Sequence, residues 1–557
     1  MSSTSQTRSN GQWAVDGATP LNPNEEFKAA DNGLNVRQRV EQVYAVAGFD
    51  SIPPDDLHGR LRWWGLYTQR RQDIDGSRTG TLGPDELSDR YFMMRVRLDG
   101  GAVTTDQLRT LAGISVDFAR NTADISDRQN IQYHWIEIEA VPQIWARLEA
   151  AGMQTTEACG DTPRVILGSP VAGIAADEII DPTPVIDEIV ARFIGDPELA
   201  NLPRKFKSAI TGHPSLDVVP EINDISLVGV VHPELGPGYD LWVGGGLSVS
   251  PRLAERLGAF VLAEQAAEVW HGVIGIFRDY GYRRLRAKAR LKFLLAEWGP
   301  VRFREVLETE YLGYRLADGP APVVTGGPGD HVGVHQQKDG RLFVGLAPTV
   351  GRVSGTILEA LADAAEAAGS KRIRFTPHQK LLVLDVEPAR LDALLAAVEP
   401  LGLTANPSPF RRSTMACTGI EYCKLAFVET KQAAADVITE LEHRLVDIEL
   451  DRPISLHLNG CPNSCARIQV ADIGLKGQLM KSADGADEFA YQVHLGGGLA
   501  SIDREDAGLG RTVRGLKVTA SELPDYVERV TRAFVAAREP GESFADWAHR
   551  AEDGALK

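Results

Sequence analysis

Four of the five cysteines in the 557-residue chain lie between positions 417 and 465, and their spacing suits metal chemistry. Cys417 and Cys423 form a Cys-x5-Cys pair, whereas Cys461 and Cys465 form a Cys-x3-Cys pair within the segment Asn-Gly-Cys-Pro-Asn-Ser-Cys. Four thiolates can hold a tetrahedral zinc ion or an iron–sulfur cluster. Structural zinc more often uses Cys-x2-Cys pairs. The spacing therefore favours a cluster, with zinc and unliganded buried thiols as the alternatives.

A second candidate for chemistry is the basic segment Arg-Lys-Phe-Lys, which contains Lys205 and Lys207. In a β-strand, residues i and i+2 lie on the same face, so the two ammonium groups are expected to point at one spot. Like charges held together raise the free energy unless an anion or a set of cofactor carboxylates lies beside them. The segment therefore predicts an anion site, and a solvated edge strand is the alternative.

An internal duplication indicates which elements position these residues. Three pairs of segments match in order, at offsets of 250, 248 and 252 residues: 128–132 with 378–382, 212–225 with 460–473, and 243–247 with 495–499. One unit therefore occurs twice in the chain. The counterpart of the two lysines in the second repeat is the segment Pro453-Ile454-Ser455, so the fold itself does not require the lysines.

Each repeat is predicted to mix strands and helices. Residues 91–98 alternate apolar and other side chains, as a half-buried strand does. Apolar residues at a spacing of three or four between Val269 and Tyr280 indicate one face of a helix. Gly-Pro clusters near 319–330 predict a linker between the repeats. The first ~25 and the last ~20 residues are polar and are predicted to be poorly ordered or wrapped on the surface.

Composition limits the class of protein. The formal net charge of −17 argues against a general nucleic-acid or anionic-membrane binder. No apolar run approaches the ~20 residues of a membrane-spanning helix, and the polar N-terminus lacks the apolar core of a secretory signal. The sequence therefore predicts a cytoplasmic protein, in which clustered cysteines bind metal or do chemistry rather than form disulfides.

The cysteine pattern identifies a resemblance. Cys-x5-Cys followed by Asn-Gly-Cys-Pro-Asn-Ser-Cys resembles the ferredoxin-dependent sulfite and nitrite reductases, and the chain is most similar to actinobacterial ferredoxin sulfite reductases over residues 60–540. The resemblance implies one 4Fe–4S cluster, held by Cys417, Cys423, Cys461 and Cys465, and one siroheme. It also implies that Cys465 bridges the cluster to the siroheme iron.

The same resemblance implies the fold. We expect an α+β, three-domain siroheme reductase architecture, built from a duplicated, pseudo-twofold unit of ferredoxin-like and α/β parts. The expected segments are an N-terminal extension and wrapping segment (1–89), a ferredoxin-like half-domain (90–158) and a siroheme- and anion-binding α/β domain (159–329) of the first repeat, then a ferredoxin-like half-domain (330–405) and a 4Fe–4S- and siroheme-binding α/β domain (406–557) of the second.

The residues around the substrate follow from matching motifs. In the family, four basic side chains surround the distal face of the siroheme, and here they are Arg95, Arg164, Lys205 and Lys207. Lysine can donate a proton, so the two lysines are expected to act as acids. The matching cofactor contacts are Arg128, Gln129, Gln132, Asn459, Asn463 and Cys465, with a structural salt bridge as the alternative for Arg128. Nitrite reductases of the family usually carry asparagine at the position of Lys207, which favours sulfite.

One more pair is implied by the resemblance. Actinobacterial sulfite reductases have a covalent bond between a tyrosine and a cysteine near the siroheme, and the matching residues are Tyr67 and Cys159. The alternative is a buried free thiol beside an unrelated core tyrosine.

The function implied is the six-electron reduction of sulfite to hydrogen sulfide in assimilatory sulfur metabolism. Reduced ferredoxin is the expected donor, because no flavin or nicotinamide domain is recognisable. The basic runs 283–292 and Arg70-Arg71 are candidate docking surfaces, although a charge run is more often a solvated helix face. We expect a monomer. The alternatives are a ferredoxin–nitrite reductase that forms ammonia and, in another class, a non-enzymatic zinc- or iron–sulfur-binding protein.

Overall fold

The structure, a computed structural model, describes residues 22–325, 329–482, 484–502, 504 and 506–557. Most of the N-terminal segment that the sequence predicts to be poorly ordered or wrapped on the surface lies outside the described residues. The C-terminal segment is folded, because helices Phe544–Arg550 and Asp553–Leu556 bury Trp547 and Leu556 in a hydrophobic core. The end of the chain is thus wrapped onto the second repeat.

Two five-stranded antiparallel sheets, called sheets 1 and 3, share one hydrophobic core. In spatial order, sheet 1 contains Leu66–Arg70, Ser88–Val96, Ile131–Ile136, Ala123–Ile125 and Arg352–Val353. Sheet 3 contains Gly333–Gln336, Leu342–Leu346, Leu381–Val386, Arg372–Phe375 and Ala102–Thr104. Each sheet takes its last strand from the other repeat, since Arg352–Val353 pairs with Ala123–Ile125 and Ala102–Thr104 pairs with Arg372–Phe375. This exchange joins the repeats.

Two mixed sheets, called sheets 2 and 4, form the remaining α/β parts. Sheet 2 contains, in order, Ala317–Asp318, Glu255–Val261, Gly236–Val243, Ile225–His232, Phe206–Thr211 and Pro163–Gly168. Sheet 4 contains Thr414–Ala416, Leu456–Asn459, Ile473–Lys481, Asp487–Leu495 and Arg511–Thr519. In each sheet the first three strands along the chain are parallel and the others antiparallel. The carboxyl ends of parallel strands meet at one edge, which is where ligands bind in such sheets.

Helices cover these sheets. In the described part of the chain the α-helices are Pro23–Ala30, Val36–Arg39, Ala45–Ala47, Pro54–Leu57, Pro84–Leu87, Thr105–Phe118, Val141–Ala150, Thr183–Phe193, Ala266–Tyr280, Leu291–Val306, Gly355–Ala367, Leu391–Val398, Pro409–Ser413, Lys431–Arg444, Leu523–Ala537, Phe544–Arg550 and Asp553–Leu556. The predicted strand near 91–98 and the predicted helix between Val269 and Tyr280 are both present. None of these helices is long and apolar enough to cross a bilayer.

The two repeats fold alike down to single hydrogen bonds, which confirms the predicted duplication. Gln129 and Gln379 both have a φ of +58°. The side-chain oxygen of Gln129 accepts a bond from the Gly168 amide (3.0 Å), and that of Gln379 accepts one from the Ala416 amide (3.2 Å). These bonds align Gly168 with Ala416. The α+β fold class is therefore confirmed, whereas the five segment boundaries stay predictions.

Candidate functional site

Two adjacent loops carry the four cysteines. Cys417 directly follows the strand Thr414–Ala416, and Cys461 follows the neighbouring parallel strand Leu456–Asn459 after one residue. The amide of Cys417 donates to Leu458 O (3.0 Å), which holds the two loops side by side. The fold thus brings both cysteine pairs to the same edge of sheet 4, as a shared ligand requires.

The thiols lie within electrostatic reach of one another. Burial and then the nearby Cys465 raise the pKa of Cys417 to about 12. Burial and Cys465 also raise the pKa of Cys461, and burial raises that of Cys423. These three thiols would therefore stay protonated unless a metal group stabilised the thiolates. The Gly460 amide already donates to Cys417 Sγ at 3.2 Å, as amides around iron–sulfur clusters do.

The distances between the cysteine sulfur atoms help to distinguish the two alternatives considered from the sequence, a zinc ion and an iron–sulfur cluster. A tetrahedral zinc ion with Zn–S bonds of about 2.3 Å brings its sulfurs to about 3.8 Å from one another. Among the described residues, no three cysteines have sulfurs that all lie within 4.8 Å of one another. This spacing is wider than a single tetrahedral zinc ion requires and favours the larger 4Fe–4S cubane.

Asn459 shapes the loop that carries Cys461 and Cys465. Its side chain is fully buried, donates to Cys461 O (2.6 Å) and accepts from the Ala466 amide (2.9 Å). Ser464, in the same loop, has a left-handed backbone (φ +55°). Asn463 is exposed at the tip of the loop, and its amide favours the thiolate form of Cys461. Asn459 therefore fixes the backbone of the loop that carries these two cysteines, and its contact with a cofactor stays a prediction.

Three predicted basic residues lie together beside the exposed thiol of Cys465. Arg95, Lys205 and Lys207 are all within electrostatic reach of this thiol. Burial and then the charge of Lys207 lower the pKa of Lys205 well below its ordinary value. Burial and then the charge of Arg128 lower the pKa of Lys207 to about 8. The predicted convergence of the lysines is thus present.

The two lysines also lack acceptors. In the described chain, neither Nζ forms a hydrogen bond or an ion pair with a carboxylate, although both side chains are only half-exposed. Buried cations without partners are unfavourable. The Arg128 Nε, also buried, lacks a partner. A site with several unpaired cations fits a bound anion with many carboxylates, and siroheme is such a group.

Arg95 and Arg164 line the same region in different ways. The guanidinium of Arg95 donates to Gln132 Oε1 (3.0 Å from Nε) and to Cys159 Sγ (3.2 Å from Nη1). Arg164 donates to Gly160 O (2.7 Å) and Ala158 O (3.3 Å). Neither arginine is paired with a carboxylate of a described residue, so each keeps its charge available to an anion. Gln132 is therefore placed to orient Arg95.

The side chains of Arg128 and Gln129 form most of their hydrogen bonds with other groups of the protein. Arg128 donates to Asn223 Oδ1 (2.9 Å) and to the backbone oxygens of Val165 and Ser208 (2.7 and 3.1 Å), and burial lowers its pKa to about 9. It forms no salt bridge with a described residue, contrary to the alternative considered from the sequence. The Gln129 amide bonds to backbone groups, including Gly168 O (2.9 Å), as its counterpart in the second repeat does. Its contact with siroheme stays a prediction.

Tyr67 and Cys159 lie near the same two arginines. Cys159 is fully buried, and both residues are within electrostatic reach of Arg62 and Arg95. The Arg62 guanidinium lies 5.6 Å from the centre of the Tyr67 ring. The arrangement brings the phenol and the thiol into one small region, and the covalent bond itself stays a prediction.

Sequence reasoning missed several charged residues around a small cavity next to the anion site. Asp161 is buried there and accepts from Arg286 (2.7 and 2.9 Å) and from Lys28 (3.2 Å). Arg62 and Arg204 line the same cavity. Arg204 directly precedes Lys205, so proximity in sequence could have identified it. Asp161 could not be recognised, because its partners come from segments more than a hundred residues away.

The basic run 283–292 is mostly committed to internal contacts. Arg283 bonds with Glu25, Arg290 with Asp224, and Lys292 with three backbone oxygens. Arg286 pairs with Asp161, which leaves Arg284 and Lys288 as its exposed cations. Arg70 is likewise fully buried. Neither run therefore offers the dense basic surface that the sequence suggested for ferredoxin.

Two protein-family models match the chain, each of them once in each repeat. The model described as the nitrite and sulphite reductase 4Fe-4S domain matches residues 159–316 and 408–551. The model described as the nitrite/sulfite reductase ferredoxin-like half domain matches residues 85–151 and 335–401. The four clustered cysteines all fall within the second match of the 4Fe-4S domain.

Individual proteins are similar over nearly the whole chain. "Sulfite reductase [ferredoxin] 2" of Mycolicibacterium paratuberculosis and "Sulfite reductase [ferredoxin]" of Mycobacterium tuberculosis are each 59% identical to it over 99% of both chains. An assimilatory ferredoxin-dependent nitrite reductase of Haloferax mediterranei is 36% identical over 94% of this chain and 90% of its own. The solved structure of the Mycobacterium tuberculosis NirA protein superimposes with a TM-score of 0.95, at 59% identity over 98% of this chain and 100% of that one. These findings confirm the predicted fold, enzyme class and 4Fe–4S cofactor, and the chain belongs to the nitrite and sulphite reductase family.

Proposed function

We propose that this protein is an assimilatory, ferredoxin-dependent sulfite reductase that converts sulfite to hydrogen sulfide. The observation that carries the proposal is the pair Lys205 and Lys207, two half-buried cations without carboxylate partners, beside the thiol of Cys465. An anion at this spot would lie next to the metal-binding loop. The identity of relatives named as ferredoxin sulfite reductases supports the same substrate.

The cofactors would be held from both repeats. Cys417, Cys423, Cys461 and Cys465 would ligate the cluster, and Cys465, the exposed thiol, would be shared with the siroheme iron. When bound, the siroheme and the cluster supply the iron that holds the anion and the route for single electrons. The unpaired cations Lys205 and Lys207 and the unbonded Nε of Arg128 would neutralise carboxylates or substrate. The cluster and the cations meet only because the repeats face each other.

The protein's own groups then position and protonate the substrate. The planar guanidinium groups of Arg95 and Arg164 suit the oxygens of an oxyanion, and Gln132 holds Arg95 in place. Each oxygen of sulfite leaves as water, which requires protons. Lys207 has a pKa of about 8, so its Nζ can donate a proton and recover it near neutral pH. The pKa of Lys205 is also lowered, mainly by burial, which makes its ammonium group a stronger acid than an exposed lysine.

Nitrite reduction is the second candidate, since the family includes nitrite reductases. Two lysines concentrate more positive charge than one, and a dianion gains more from each charge than a monoanion does. The experiment is to compare kcat/KM for sulfite and nitrite with chemically reduced ferredoxin. A higher kcat/KM for sulfite is expected, and a large preference for nitrite would overturn the assignment.

We also propose a thioether between Tyr67 and Cys159. A C–S bond would form between Cys159 Sγ and the ring carbon beside the phenol oxygen, with loss of one C–H and the S–H. Two electrons and two protons would pass to an oxidant such as dioxygen. The intact mass of the denatured chain should be two hydrogen masses below the sequence mass, and Tyr67→Phe should restore the full value. A wild-type chain of full mass would show that the bond is absent.

The proposal also includes the electron donor and the assembly state. Electrons would come from reduced ferredoxin, and the protein would act as a cytoplasmic monomer. The exposed cations Arg284 and Lys288 are too few to form a dense docking patch, so we do not assign docking to that run. Size-exclusion chromatography with light scattering tests the monomer, and a stable dimer would contradict it.

A further inference from the structure

Two histidines and one carboxylate, none of them in the cysteine loops, converge between the first repeat and the start of the second. The ligand atoms of His213, Asp217 and His331 all lie within 4.8 Å of one another, and all three residues are buried. His213 and Asp217 belong to the loop after the strand Phe206–Thr211, whereas His331 follows the linker between the repeats. No other group of this kind occurs among the described residues.

This group occupies the position in the first repeat that the cluster cysteines occupy in the second. At the offset of 248 residues, His213 aligns with Cys461 and Asp217 aligns with Cys465. The backbone confirms the alignment, because Leu216 and its counterpart Ser464 both have a φ of +55°. The next left-handed residues also correspond, with φ of +52° at Val219 and +59° at Arg467.

The third position corresponds as well. Gly168 pairs with Ile210 in sheet 2, and Ala416 pairs with Leu458 in sheet 4, so Ser169 aligns with Cys417. Ser169 Oγ donates to Asp217 Oδ2 at 2.6 Å. The first repeat therefore keeps the loop geometry of a metal site, with oxygen and nitrogen donors in place of sulfur.

Hydrogen bonds fix the carboxylate in this group. Asp217 accepts from Thr211 Oγ1 (2.7 Å) and Ser169 Oγ, and its Oδ2 lies 2.9 Å from His331 Nε2. Imidazole nitrogens and carboxylate oxygens are both ligands of divalent metal ions in proteins.

We propose that His213, Asp217 and His331 bind one divalent transition-metal ion of the zinc class. Two imidazoles and a carboxylate suit such ions, whereas thiolates would favour an iron–sulfur cluster. Asp177 lies 3.3 Å from His213 Nε2 and is half-exposed, so it can contribute a further oxygen from the solvent side. The ion would connect the loop of the first repeat to His331, at the start of the second. It would thereby hold the end of the linker between the repeats in place.

A cavity lies beside the group. Gly329, which packs directly on Asp217, lines this cavity, whose volume is about 320 Å³. Val219 and Asp330 line the same cavity, and Arg412 within it pairs with Asp330 (2.7 Å). The three ligand residues themselves do not line it.

Metal content of the untagged holoenzyme tests the proposal. The enzyme is dialysed first against a chelator and then against micromolar zinc, and zinc, iron and the visible spectrum are measured. We expect one zinc per chain in the wild type, with unchanged iron. His331→Gln and Asp217→Asn should each weaken zinc binding at least tenfold. His335→Gln is the matched control, because His335 stacks on Phe343 outside the group and should bind zinc as the wild type does.

X-ray absorption at the zinc edge identifies the ligands. Nitrogen and oxygen neighbours at about 2.0–2.2 Å are expected, whereas sulfur at about 2.3 Å would place zinc on the cysteines and overturn the proposal. A wild-type holoenzyme that takes up no zinc, or His331→Gln and Asp217→Asn enzymes that bind it as tightly as the wild type, would overturn it too. The iron content of each variant shows whether it is folded. If one variant does not fold, His213→Gln takes its place.

Discussion

Replacing Lys207 with asparagine removes one charge from the proposed anion site and keeps a short polar side chain. Lys207 has a pKa of about 8, so its ammonium group is mostly protonated at pH 7. At a contact of ~4 Å and an effective dielectric constant of ~20, one pair of unit charges contributes ~4 kcal/mol. Sulfite as a dianion loses one such contribution more than nitrite does. If the remaining cations and water compensate for about half of this energy, the preference for sulfite over nitrite falls by ~2 kcal/mol, or about 30-fold.

The assay is kcat/KM for sulfite and for nitrite with saturating reduced ferredoxin, at several pH values. The sulfite-to-nitrite ratio of Lys207→Asn should fall about 30-fold at pH 7, mainly through sulfite. In the wild type, kcat/KM for sulfite should fall as the pH rises through the pKa of Lys207, because the deprotonated amine no longer attracts the anion. A bound anion raises that pKa, so the fall is expected at or above pH 8, and the variant should lack it.

A matched control removes the same charge elsewhere. Lys288→Asn changes an exposed lysine of the basic run and should leave the ratio unchanged. The reasoning would be refuted if Lys207→Asn kept both its cofactors and the wild-type ratio. Loss of siroheme from Lys207→Asn would also refute it, because the lysine would then hold the cofactor rather than select the anion.

Three further predictions test other parts of the site. Cys465→Ser should abolish the visible absorption of the cluster, and an unchanged spectrum would contradict its role as a ligand. Asp161→Asn removes the buried carboxylate that pairs with Arg286 and leaves Lys28 with Glu25 alone, so it should lower the free energy of unfolding by ~3–5 kcal/mol in chemical denaturation, whereas Asp73→Asn, on the surface, should leave it unchanged. Turnover with ferredoxin should fall as ionic strength rises, if docking is electrostatic, and a rate independent of salt would exclude that.

Local features of the chain could be predicted from the sequence. The cysteine spacing identified the metal-binding loops, and the i, i+2 relation of Lys205 and Lys207 placed both on one face. The duplication could be read because matching segments, such as 128–132 and 378–382, recur at nearly one offset along the chain. These signals depend on neighbours in sequence or on repetition, both of which are visible without a structure.

Contacts between distant segments could not be predicted. The basic run 283–292 has the composition of a docking surface, yet Arg283 and Arg290 are used in ion pairs with Glu25 and Asp224, which lie far away in sequence. Asp161 gave no sequence signal for the same reason. Charge density along the chain indicates exposure only if no carboxylate folds against it, and that depends on tertiary contacts.

The two repeats contribute different residues to the site, so each supplies groups that the other lacks. At equivalent positions, the first repeat has Lys207 where the second has Ser455, and the backbone amides of both donate to equivalent aspartates (2.8 and 2.9 Å). In the next loop it is the second repeat that carries the functional residue. Cys461 stands there at the position where the first repeat has His213. The same backbone thus presents cations on one side and thiols on the other. A chain built from two copies of the second repeat would lack the lysines, and one built from two copies of the first would lack the cysteines for the cluster.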